Sequence, residues 1–501
     1  MGIKSLVAKI WANKIHNQTH RTSSNAVEVQ QKLMHYLVKS AKNTEFGTDC
    51  KFSEIKNYLD FKNNVPLADY EDLKLYIDKV VDGKANILWP NKPTYLAKTS
   101  GTTSGVKYIP ISKESMPYHI AGARNALLSY VYHSRNASFI DGKLIFLSGS
   151  PILTVKKGIY TGRLSGIVNH HVPAYLRSNQ MPSYDTNCIE DWEDKLDKIV
   201  AETYTENMTL ISGIPPWIQM YFDRLSEKTG KNISQLFPNF KVMVQGGVNF
   251  EPYKSKLLKS IGTEIDIVET YPASEGFIAY QDNYKENGLL LILDGGIFYE
   301  FIKLEDYNKG IKTRIDISQA ELDVNYVLIM NTNAGMWGYI IGDTIKFTSL
   351  SPHKIVVTGR IKHFISAFGE HVIAEEVEFA LNKACKELNL NVVEFTVAPQ
   401  INPKQGLPHH EWFVEFDSRS VNISELETLV DQNLQEKNIY YKDLRAGNIL
   451  NQLKIKQVIN NGFIQYMKGL GKLGGQNKLP RLSNNRIIAE ELTPYTKEVN
   501  G

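Results

Sequence analysis

Apolar positions change their spacing along the chain, and the spacing predicts which elements form. Over residues 1–90 they mostly repeat at helical intervals, as in residues 25–42, which predicts a helical opening region. Over residues 92–211, and again over 192–263, short apolar strands alternate with helices. This alternation predicts an α/β architecture with a largely parallel sheet. The elements predicted here are strands 143–149, 209–212 and 241–245 and helices 192–206 and 216–229.

Strands dominate from residue 265 to about residue 358, and then the pattern changes again. The clearest predicted strands, 289–293, 326–330 and 339–347, indicate a compact β-rich subdomain. After residue 360, a helix over 374–387 is followed by two strands and a second helix, an α+β pattern large enough for its own core. We therefore predict a large N-terminal domain of residues 1–362, with α/β subdomains and a β-rich subdomain. A small α+β C-terminal domain of residues 363–501 follows it.

Length, charge and cysteine content narrow the classes of function. A chain of 501 residues exceeds what one core usually supports, so at least two domains are expected. Its 57 basic and 54 acidic residues nearly cancel without a block of like charge, so neither nucleic acid nor a membrane is expected as a partner. The cysteines Cys50, Cys188 and Cys385 lie far apart without metal-ligand spacing, which favours a reducing, cytoplasmic location. Apolar runs stay short of the ~20 residues that cross a bilayer.

The most informative motif lies between residues 98 and 110. Two extended segments flank a short turn of hydroxyl-bearing residues and glycines that is closed by a lysine: Ser100, Gly101, Thr102, Thr103, Ser104, Gly105, Val106 and Lys107. Glycines let the backbone come close to a ligand, N–H groups and hydroxyls donate hydrogen bonds, and Lys107 adds positive charge. Such a loop can wrap a polyphosphate. A polar β-hairpin turn is the alternative interpretation.

The spacing of this motif argues against a P-loop. A Walker A motif needs four residues between its glycines, and its Gly-Lys-Ser/Thr leads into a helix. Here three residues separate Gly101 from Gly105, and Val106 precedes the lysine. Residues 108–111 are β-prone and contain a proline, so no helix is predicted to begin there. The sequence therefore indicates a phosphate loop of another kind.

A second group of candidates follows the predicted strand 265–269. It combines an aromatic ring, small residues and an acid: Tyr271, Pro272, Ala273, Ser274 and Glu275. At the C-terminal end of a strand in an α/β sheet, Tyr271 could stack on a base and Glu275 could hold Mg²⁺ together with phosphate oxygens. Gly246 and Gly247 form another glycine turn at a strand end, with the same candidate role. Taken alone, each motif also fits an ordinary loop.

Asp343 and Lys478 complete the set of candidates. Asp343 interrupts the apolar strand 339–347, where an ionised carboxylate needs partners. The hydroxyls of a ribose would supply charge-assisted hydrogen bonds, each worth roughly 1.5–3 kcal/mol. Lys478 lies in a glycine-containing loop near the C-terminus. A strand-end turn residue and a solvated surface lysine are the respective alternatives.

The order of these motifs resembles the adenylate-forming superfamily. It is closer still to the Gretchen Hagen (auxin-responsive) family of acyl-acid amido synthetases and its bacterial relatives. The Ser-Gly-Thr-Thr loop running into Lys-Tyr-Ile-Pro resembles the first motif of that family. Residues 271–276 are similar to its Tyr-Ala-Ser-Ser-Glu-Gly motif, and residues 297–301 to its Tyr-Phe-Glu-Phe segment. Residues 342–343 and 475–481 resemble its Gly-Asp motif and its Gln-x-Lys-x-Pro-Arg tail. The resemblance extends from about residue 20 to residue 490.

The resemblance implies an adenylate-forming fold with a mobile C-terminal domain, and an enzyme that uses ATP and Mg²⁺. A small carboxylic acid would attack the α-phosphorus while Lys478 supplies positive charge, and an amine, in that family an amino acid, would then take the acyl group. The residues implied for ATP are 100–104 and Lys107 for the triphosphate, Gly246, Gly247 and 271–274 for the adenine, Glu275 for Mg²⁺, Asp343 for the ribose and Arg360 at the hinge. The first loop is one residue shorter than the plant pattern, so the plant acyl substrates are not implied.

Three alternatives stand beside this interpretation. An acyl-CoA ligase would share the first half-reaction and differ in using coenzyme A as the acceptor. A non-catalytic relative would bind nucleotide or acyl ligand without turnover. An unrelated α/β protein would carry these motifs by chance, in this order.

Overall fold

The computed structural model describes residues 3–102, 105–247, 250–361, 364–365, 367–370, 372–417, 421–470 and 479–497. The helices are α1 (Ile3–Ser24), α2 (Ala26–Ala41), α3 (Glu45–Asp49), α4 (Tyr58–Asn64), α5 (Tyr70–Val81), α6 (Met116–Ser134), α7 (Leu164–Asn169), α8 (Ala174–Arg177), α9 (Tyr184–Asn187), α10 (Trp192–Thr203), α11 (Pro215–Thr229), α12 (Ile233–Leu236), α13 (Glu251–Ile261), α14 (Leu304–Asn308), α15 (Ala374–Glu387), α16 (Ile423–Lys437), α17 (Ile439–Ala446), α18 (Gly462–Gly469) and α19 (Ile487–Leu492).

The strands are β1 (Tyr95–Thr102), β2 (Gly105–Ile111), β3 (Lys143–Phe146), β4 (Thr154–Lys156), β5 (Ile159–Gly162), β6 (Gln180–Met181), β7 (Met208–Gly213), β8 (Val242–Gly246), β9 (Asp266–Ala273), β10 (Gly276–Tyr280), β11 (Leu289–Leu291), β12 (Ile297–Lys303), β13 (Asn325–Thr332), β14 (Tyr339–Leu350), β15 (His353–Arg360), β16 (Phe364–Ile365), β17 (Val372–Ile373), β18 (Val392–Gln400), β19 (His409–Phe416) and β20 (Lys454–Val458).

An eleven-stranded mixed sheet organises most of the chain. Its strand order is β12-β13-β14-β15-β11-β10-β9-β8-β7-β3-β6. On one side, β6, β3, β7, β8 and β9 pair in parallel. On the other side of β9, the strands β10, β11, β15, β14, β13 and β12 follow in that order and pair antiparallel. The predicted α/β fold class is therefore confirmed. The β-rich part expected after residue 265 is the antiparallel half of this same sheet, because β10 folds back on β9 and extends it.

A smaller sheet, ordered β2-β1-β5-β4, carries the glycine- and hydroxyl-rich motif. Helix α5 supports it. The helix begins with a capping box in which Asp69 accepts from the N–H groups of the first turn and Asp72 accepts from the N–H of Asp69. The backbone N–H of Tyr108 in β2 donates to the hydroxyl of Tyr70 at 2.8 Å, so α5 is bonded directly to the hairpin.

Helix α6 covers the junction between the parallel and antiparallel halves of the main sheet. Its Gly122 lies on the ring of Phe277 in β10, where a Cβ atom would come within 2.2 Å of the ring. Only glycine permits this close approach without a shift of the helix or of the ring. As a result α6 packs closely against β10 and its neighbour β9.

The C-terminal part contains the sheet β18-β19-β20 and the helices α15 and α16. The predicted helix 374–387 is confirmed as α15. This part packs against α10, α11 and α13 in one continuous apolar core. The hydroxyl of Tyr253 in α13 donates to the carbonyl of Ala367, and Gly447 lies against Trp192. No described helix has both the length and the apolar character that a bilayer crossing requires.

Candidate active site

The predicted phosphate loop is the tip of the β1–β2 hairpin. The two strands extend into the motif itself, with Thr99 opposite Lys107 and Thr102 opposite Gly105. Thr103 and Ser104 lie outside the described residues. The same is true of the side chains of Ser100 and Thr102, and Gly101 is described only as part of the β1 backbone. The turn predicted between two extended segments is thus shorter than the sequence indicated, because pairing continues almost to its end.

Lys107 is half-buried and interacts with residues of two other elements. Its ammonium nitrogen lies 5.3 Å from the centroid of the Tyr70 ring, within cation–π distance. Burial raises the pKa of Glu275, and the positive charge of Lys107 opposes that increase. The hairpin therefore brings a cation into electrostatic range of the second predicted motif.

The second motif occupies a strand end and a tight turn rather than a loop. Residues 271–273 finish β9, Ser274 and Glu275 form the turn, and Gly276 begins β10 opposite Ala273. The sequence placed the end of the strand at residue 269, before the motif. Pairing with β10 extends it, and Pro272 is tolerated because the pairing is irregular there.

Glu275 is the acidic group of this turn, and its neighbours determine its charge. Burial raises the pKa of its carboxyl, while the charge of Lys107 and a hydrogen bond from Tyr339 act to lower it. The nearby Asp343 adds to the increase. Tyr339 itself is buried, and the pKa of its hydroxyl is well above its ordinary value because of that burial and of Glu275.

Asp343 lies next to the same turn. It is buried in β14 and accepts a hydrogen bond from the hydroxyl of Tyr271. Across the sheet its partner in register is Arg360, the last residue of β15, whose side chain is outside the description. Two residues that the sequence assigned separately to base and ribose are thus bonded to each other.

The glycine pair lies at the end of β8, at the carboxyl edge of the parallel strands, with Gly246 as the last residue of the strand. Gly246 pairs with Thr270, and a Cβ atom on Gly246 would come within 2.3 Å of the Thr270 carbonyl oxygen. Gly247 has a φ of +86°, in the left-handed region. Because Thr270 precedes Tyr271, the glycine pair lies beside the start of the second motif. The crevice at this edge is where α/β sheets bind ligands.

Lys478 lies outside the described residues, but the segment that follows it is anchored. The hydroxyl of Thr396 in β18 donates to the Pro480 carbonyl at 2.7 Å, and the Val397 N–H donates to the Arg481 carbonyl at 3.0 Å. The guanidinium of Arg481 pairs with Glu378 and Glu394. Pro480 and Arg481, the last residues of the predicted tail motif, are therefore attached along one edge of the C-terminal sheet.

Sequence reasoning missed a contact between the C-terminal part and the hairpin. The hydroxyl of Tyr440 in α17 donates to the Lys98 carbonyl at 3.0 Å. The guanidinium carbon of Arg163 lies 4.9 Å from the centroid of the Tyr440 ring, and Arg163 also pairs with Asp443. Tyr440 and Lys98 are separated by 342 residues, so no local pattern could reveal this contact.

The residues present fit a Mg²⁺–nucleotide complex. Mg²⁺ is usually held by one or two carboxylates together with phosphate oxygens and water, rather than by an all-protein cage. Glu275 offers one carboxylate beside the hairpin, with Asp343 close by. No cluster of three or more potential metal ligands occurs among the residues that the structure describes.

Sequence profiles of one family match most of the chain. The GH3 family N-terminal domain matches residues 15–159 and 125–265, the GH3 family central domain residues 290–360, and the GH3 family C-terminal domain residues 375–487. The jasmonoyl–L-amino acid synthetase JAR4 of Nicotiana attenuata is 22% identical over 92% of this chain and 91% of its own length. The indole-3-acetic acid-amido synthetase GH3.10 of Arabidopsis thaliana is 20% identical over 87% of this chain and 88% of its own.

Two solved structures share the fold. The acyl acid amido synthetase AtGH3.15, in complex with 2,4-DB, superposes with a TM-score of 0.62 at 16% identity and covers 97% of this chain and 96% of its own. A 2-hydroxyisobutyryl-CoA ligase, in complex with 2-HIB-AMP and CoA, has a TM-score of 0.55 at 14% identity, over 95% of this chain and 92% of its own. At these identities the structural likeness supports the fold alone.

Proposed function

This chain belongs to the GH3 family and is an adenylate-forming ligase, and we propose how its own residues carry out the two half-reactions. In the first, the chain activates a small carboxylic acid with ATP. In the second, an amine, which we assign to an amino acid, takes the acyl group to form an amide. We also propose a cytoplasmic location, in keeping with the free thiols of Cys50, Cys188 and Cys385.

The observation that carries the proposal is the convergence of three motifs at one edge of the main sheet. Lys107 from the hairpin and Asp343 from β14 both lie within electrostatic range of Glu275 in the β9–β10 turn. They come from positions more than 60 residues apart, and each offers the chemistry that one part of a nucleotide needs. Positive charge suits the triphosphate, and a buried carboxylate suits the ribose hydroxyls.

In the first half-reaction, an oxygen of the substrate carboxylate forms a bond to the α-phosphorus. The bond from that phosphorus to the pyrophosphate oxygen breaks, and pyrophosphate leaves. Negative charge builds on the phosphoryl oxygens, so fixed cations and N–H donors there stabilise the transition state. We assign this task to the backbone of residues 100–104, to Lys107 and to Lys478. When bound, Mg²⁺ would neutralise phosphate charge, and Glu275 would hold it.

The nucleotide would be oriented by the remaining candidates. The carboxylate of Asp343 has room to accept from ribose hydroxyls while it keeps the hydroxyl of Tyr271, because a carboxylate offers about four acceptor positions. We assign the adenine to the strand ends formed by Gly246, Gly247 and residues 271–274. Arg360 lies at the junction of the proposed domains, residues 1–362 and 363–501.

In the second half-reaction, the nitrogen of the amine attacks the acyl carbonyl. The bond from the carbonyl carbon to AMP breaks, AMP leaves with its electron pair, and the nitrogen loses a proton. We propose that residues 363–501 change position between the two half-reactions, as domain rotation would allow one crevice to serve both.

The test follows pyrophosphate release. The purified protein is incubated with ATP, Mg²⁺ and a panel of carboxylic acids, and active acids are then combined with pooled amino acids or with coenzyme A. Mass spectrometry of an amide product supports the proposal, and a thioester product would identify an acyl-CoA ligase instead. No release with any acid, together with no ATP binding in calorimetry, would refute the enzymatic proposal.

Lys478→Ala tests the assigned catalytic lysine. Loss of a fixed charge at the transition state lowers the rate by about 10²–10³. The exposed Lys468→Ala removes the same charge from α18 and should leave the rate unchanged. If Lys478→Ala releases pyrophosphate at the normal rate, the lysine has no part in adenylation.

A further inference from the structure

Helix α1 has an inner face that is fixed to the protein. Ala8, Ala12 and Ile15 are buried in the core formed with α6 and the main sheet. The hydroxyl of the buried Ser5 donates to Asp141 at 2.7 Å. The helix is therefore held in one orientation, and its opposite face is presented to solvent in a defined direction.

That outer face of α1 is apolar in its N-terminal half. Leu6, Val7 and Ile10 are 56%, 55% and 66% exposed, and their i, i+1 and i+4 spacing puts them on one side of the helix. Trp11 borders this strip, and the guanidinium carbon of Arg124 lies 4.9 Å from the centroid of its ring. Single exposed apolar residues are common on protein surfaces, but a contiguous strip beside a half-exposed tryptophan is not.

The charged side chains that α1 itself carries are of one sign, and Asp141, an acid that contacts the helix, is bonded to Ser5 on its inner face. Residues 1–27 contain four basic residues, Lys4, Lys9, Lys14 and Arg21, and no aspartate or glutamate. The chain as a whole is nearly balanced, with 57 basic and 54 acidic residues, so this is a local departure. At 100° per residue, Lys4 and Lys9 flank the strip on opposite sides, and Lys14 and Arg21 continue its line along the helix.

These charges select among the surfaces that could cover the strip. A second copy of α1 would bring like charges together, which is unfavourable. An anionic membrane surface would attract each lysine electrostatically. The apolar side chains and the tryptophan could at the same time insert at the boundary between lipid headgroups and acyl chains. An apolar strip flanked by lysines on a fixed helix is the pattern of helices that lie in the plane of a membrane interface.

We propose that the outer face of α1, defined by Leu6, Val7, Ile10 and Trp11, docks the protein on an anionic phospholipid bilayer. The N-terminal half of this helix precedes residue 15, where the family profile begins to match. The proposal departs from the expectation, based on overall charge, that membranes play no part. It does not depend on the proposed reaction.

Vesicle sedimentation tests the proposal. The full chain is mixed with vesicles of phosphatidylcholine, or with vesicles in which about a third of the lipid is phosphatidylglycerol. We expect binding to the anionic vesicles only, and weaker binding as salt is raised. Equal binding to both kinds of vesicle, or binding to neither, would overturn the proposal.

Variants of exposed residues separate α1 from the rest of the surface. The double variant Leu6→Ser/Ile10→Ser should lose vesicle binding, and Lys9→Glu should weaken it by at least about fivefold, from roughly 1 kcal/mol for each basic residue near an anionic surface. Leu75→Ser is the matched control, because Leu75 is 77% exposed on α5. All three variants should keep the wild-type melting temperature and pyrophosphate release in solution.

Two results would contradict the assignment to α1. One is vesicle binding by Leu6→Ser/Ile10→Ser as strong as that of the wild type. The other is a concentration-dependent dimer in light scattering that this double variant abolishes, which would identify a second copy of the chain as the partner.

Discussion

Replacing Glu300 by glutamine should strongly lower the free energy of unfolding. Glu300 lies in the segment 297–301, which resembles a family motif, but its predicted role here is in stability. Glu300 is fully buried in β12 and accepts from three donors. These are the Tyr58 hydroxyl at 3.1 Å, the Asn331 amide nitrogen at 3.0 Å and the guanidinium of Arg314 at 3.4 Å. Arg314 in turn donates to the Val65 carbonyl at 2.8 Å, so the cluster joins the end of α4 to the antiparallel half of the sheet.

The magnitude follows from what the substitution leaves behind. The buried guanidinium of Arg314 loses its counter-charge, which typically costs about 3–5 kcal/mol. Glutamine also has only one acceptor oxygen for three donors, and its own N–H₂ group would face one of them. The loss should therefore lie at the upper end of that range rather than near the average for a point mutation.

Urea unfolding at neutral pH measures the effect, with Glu305→Gln as the control. Glu305 carries the same charge, but it is 80% exposed and pairs with Lys309 on the surface, so its loss should cost less than about 1 kcal/mol. The double variant Glu300→Gln/Arg314→Met should lose less stability than the sum of its two single variants, because it removes both charges. A Glu300→Gln variant as stable as Glu305→Gln would refute the buried-pair argument.

Two further predictions concern the site and the response to pH. Asp343→Asn should raise the KM for ATP in pyrophosphate release by about ten- to a hundredfold, since it removes charge-assisted hydrogen bonds to the ribose. The control Asp323→Asn, at an exposed position, should leave this KM unchanged. An unchanged KM in Asp343→Asn would refute the assignment of Asp343 to the ribose. His119 on α6 is buried, neither of its ring nitrogens has a hydrogen-bond partner among the described residues, and burial lowers its pKa to about 4. The folded state thus favours the neutral ring, so the stability that depends on His119 is complete above about pH 6.5 and falls by up to about 3 kcal/mol as the pH drops toward 4. Urea unfolding across that interval should show a shallower loss in His119→Leu than in the wild type or in the surface variant His35→Leu, and equal slopes would contradict the prediction.

Local patterns predicted most elements because each has a clear period of its own. Helix α15 and strand β8 lie where the apolar spacing put them, within a residue at each end. The hydroxyl- and glycine-rich motif was correctly placed between two extended segments, and its phosphate-binding role stays a prediction. What local patterns can indicate, they indicated well.

Pairing between distant segments lay beyond the reach of such patterns. The antiparallel half of the sheet was expected as a separate subdomain, because nothing in the period of a strand says which neighbour it joins. Strand β9 was ended too early for the same reason, as its last residues are extended by pairing with β10. The bond between Tyr271 and Asp343 joins two residues that were both identified, yet only the fold shows that they meet.

The hydrogen bond from Tyr440 to the Lys98 carbonyl couples the C-terminal part to the hairpin. Strand β1, which leads into the predicted triphosphate loop, accepts this hydrogen bond from helix α17 of the C-terminal part. The conformations of the hairpin and of α17 are therefore thermodynamically linked. If a nucleotide moves the hairpin when it binds, it also changes the Tyr440–Lys98 hydrogen bond. Because linkage is reciprocal, the hydrogen bond then changes the affinity of the hairpin for the nucleotide by the same factor. If nucleotide binding breaks the hydrogen bond to α17, the loop binds nucleotide more weakly as long as that hydrogen bond is present. A triphosphate bound at the tip, as proposed above, would therefore alter a contact made by a residue more than 300 positions away in the sequence.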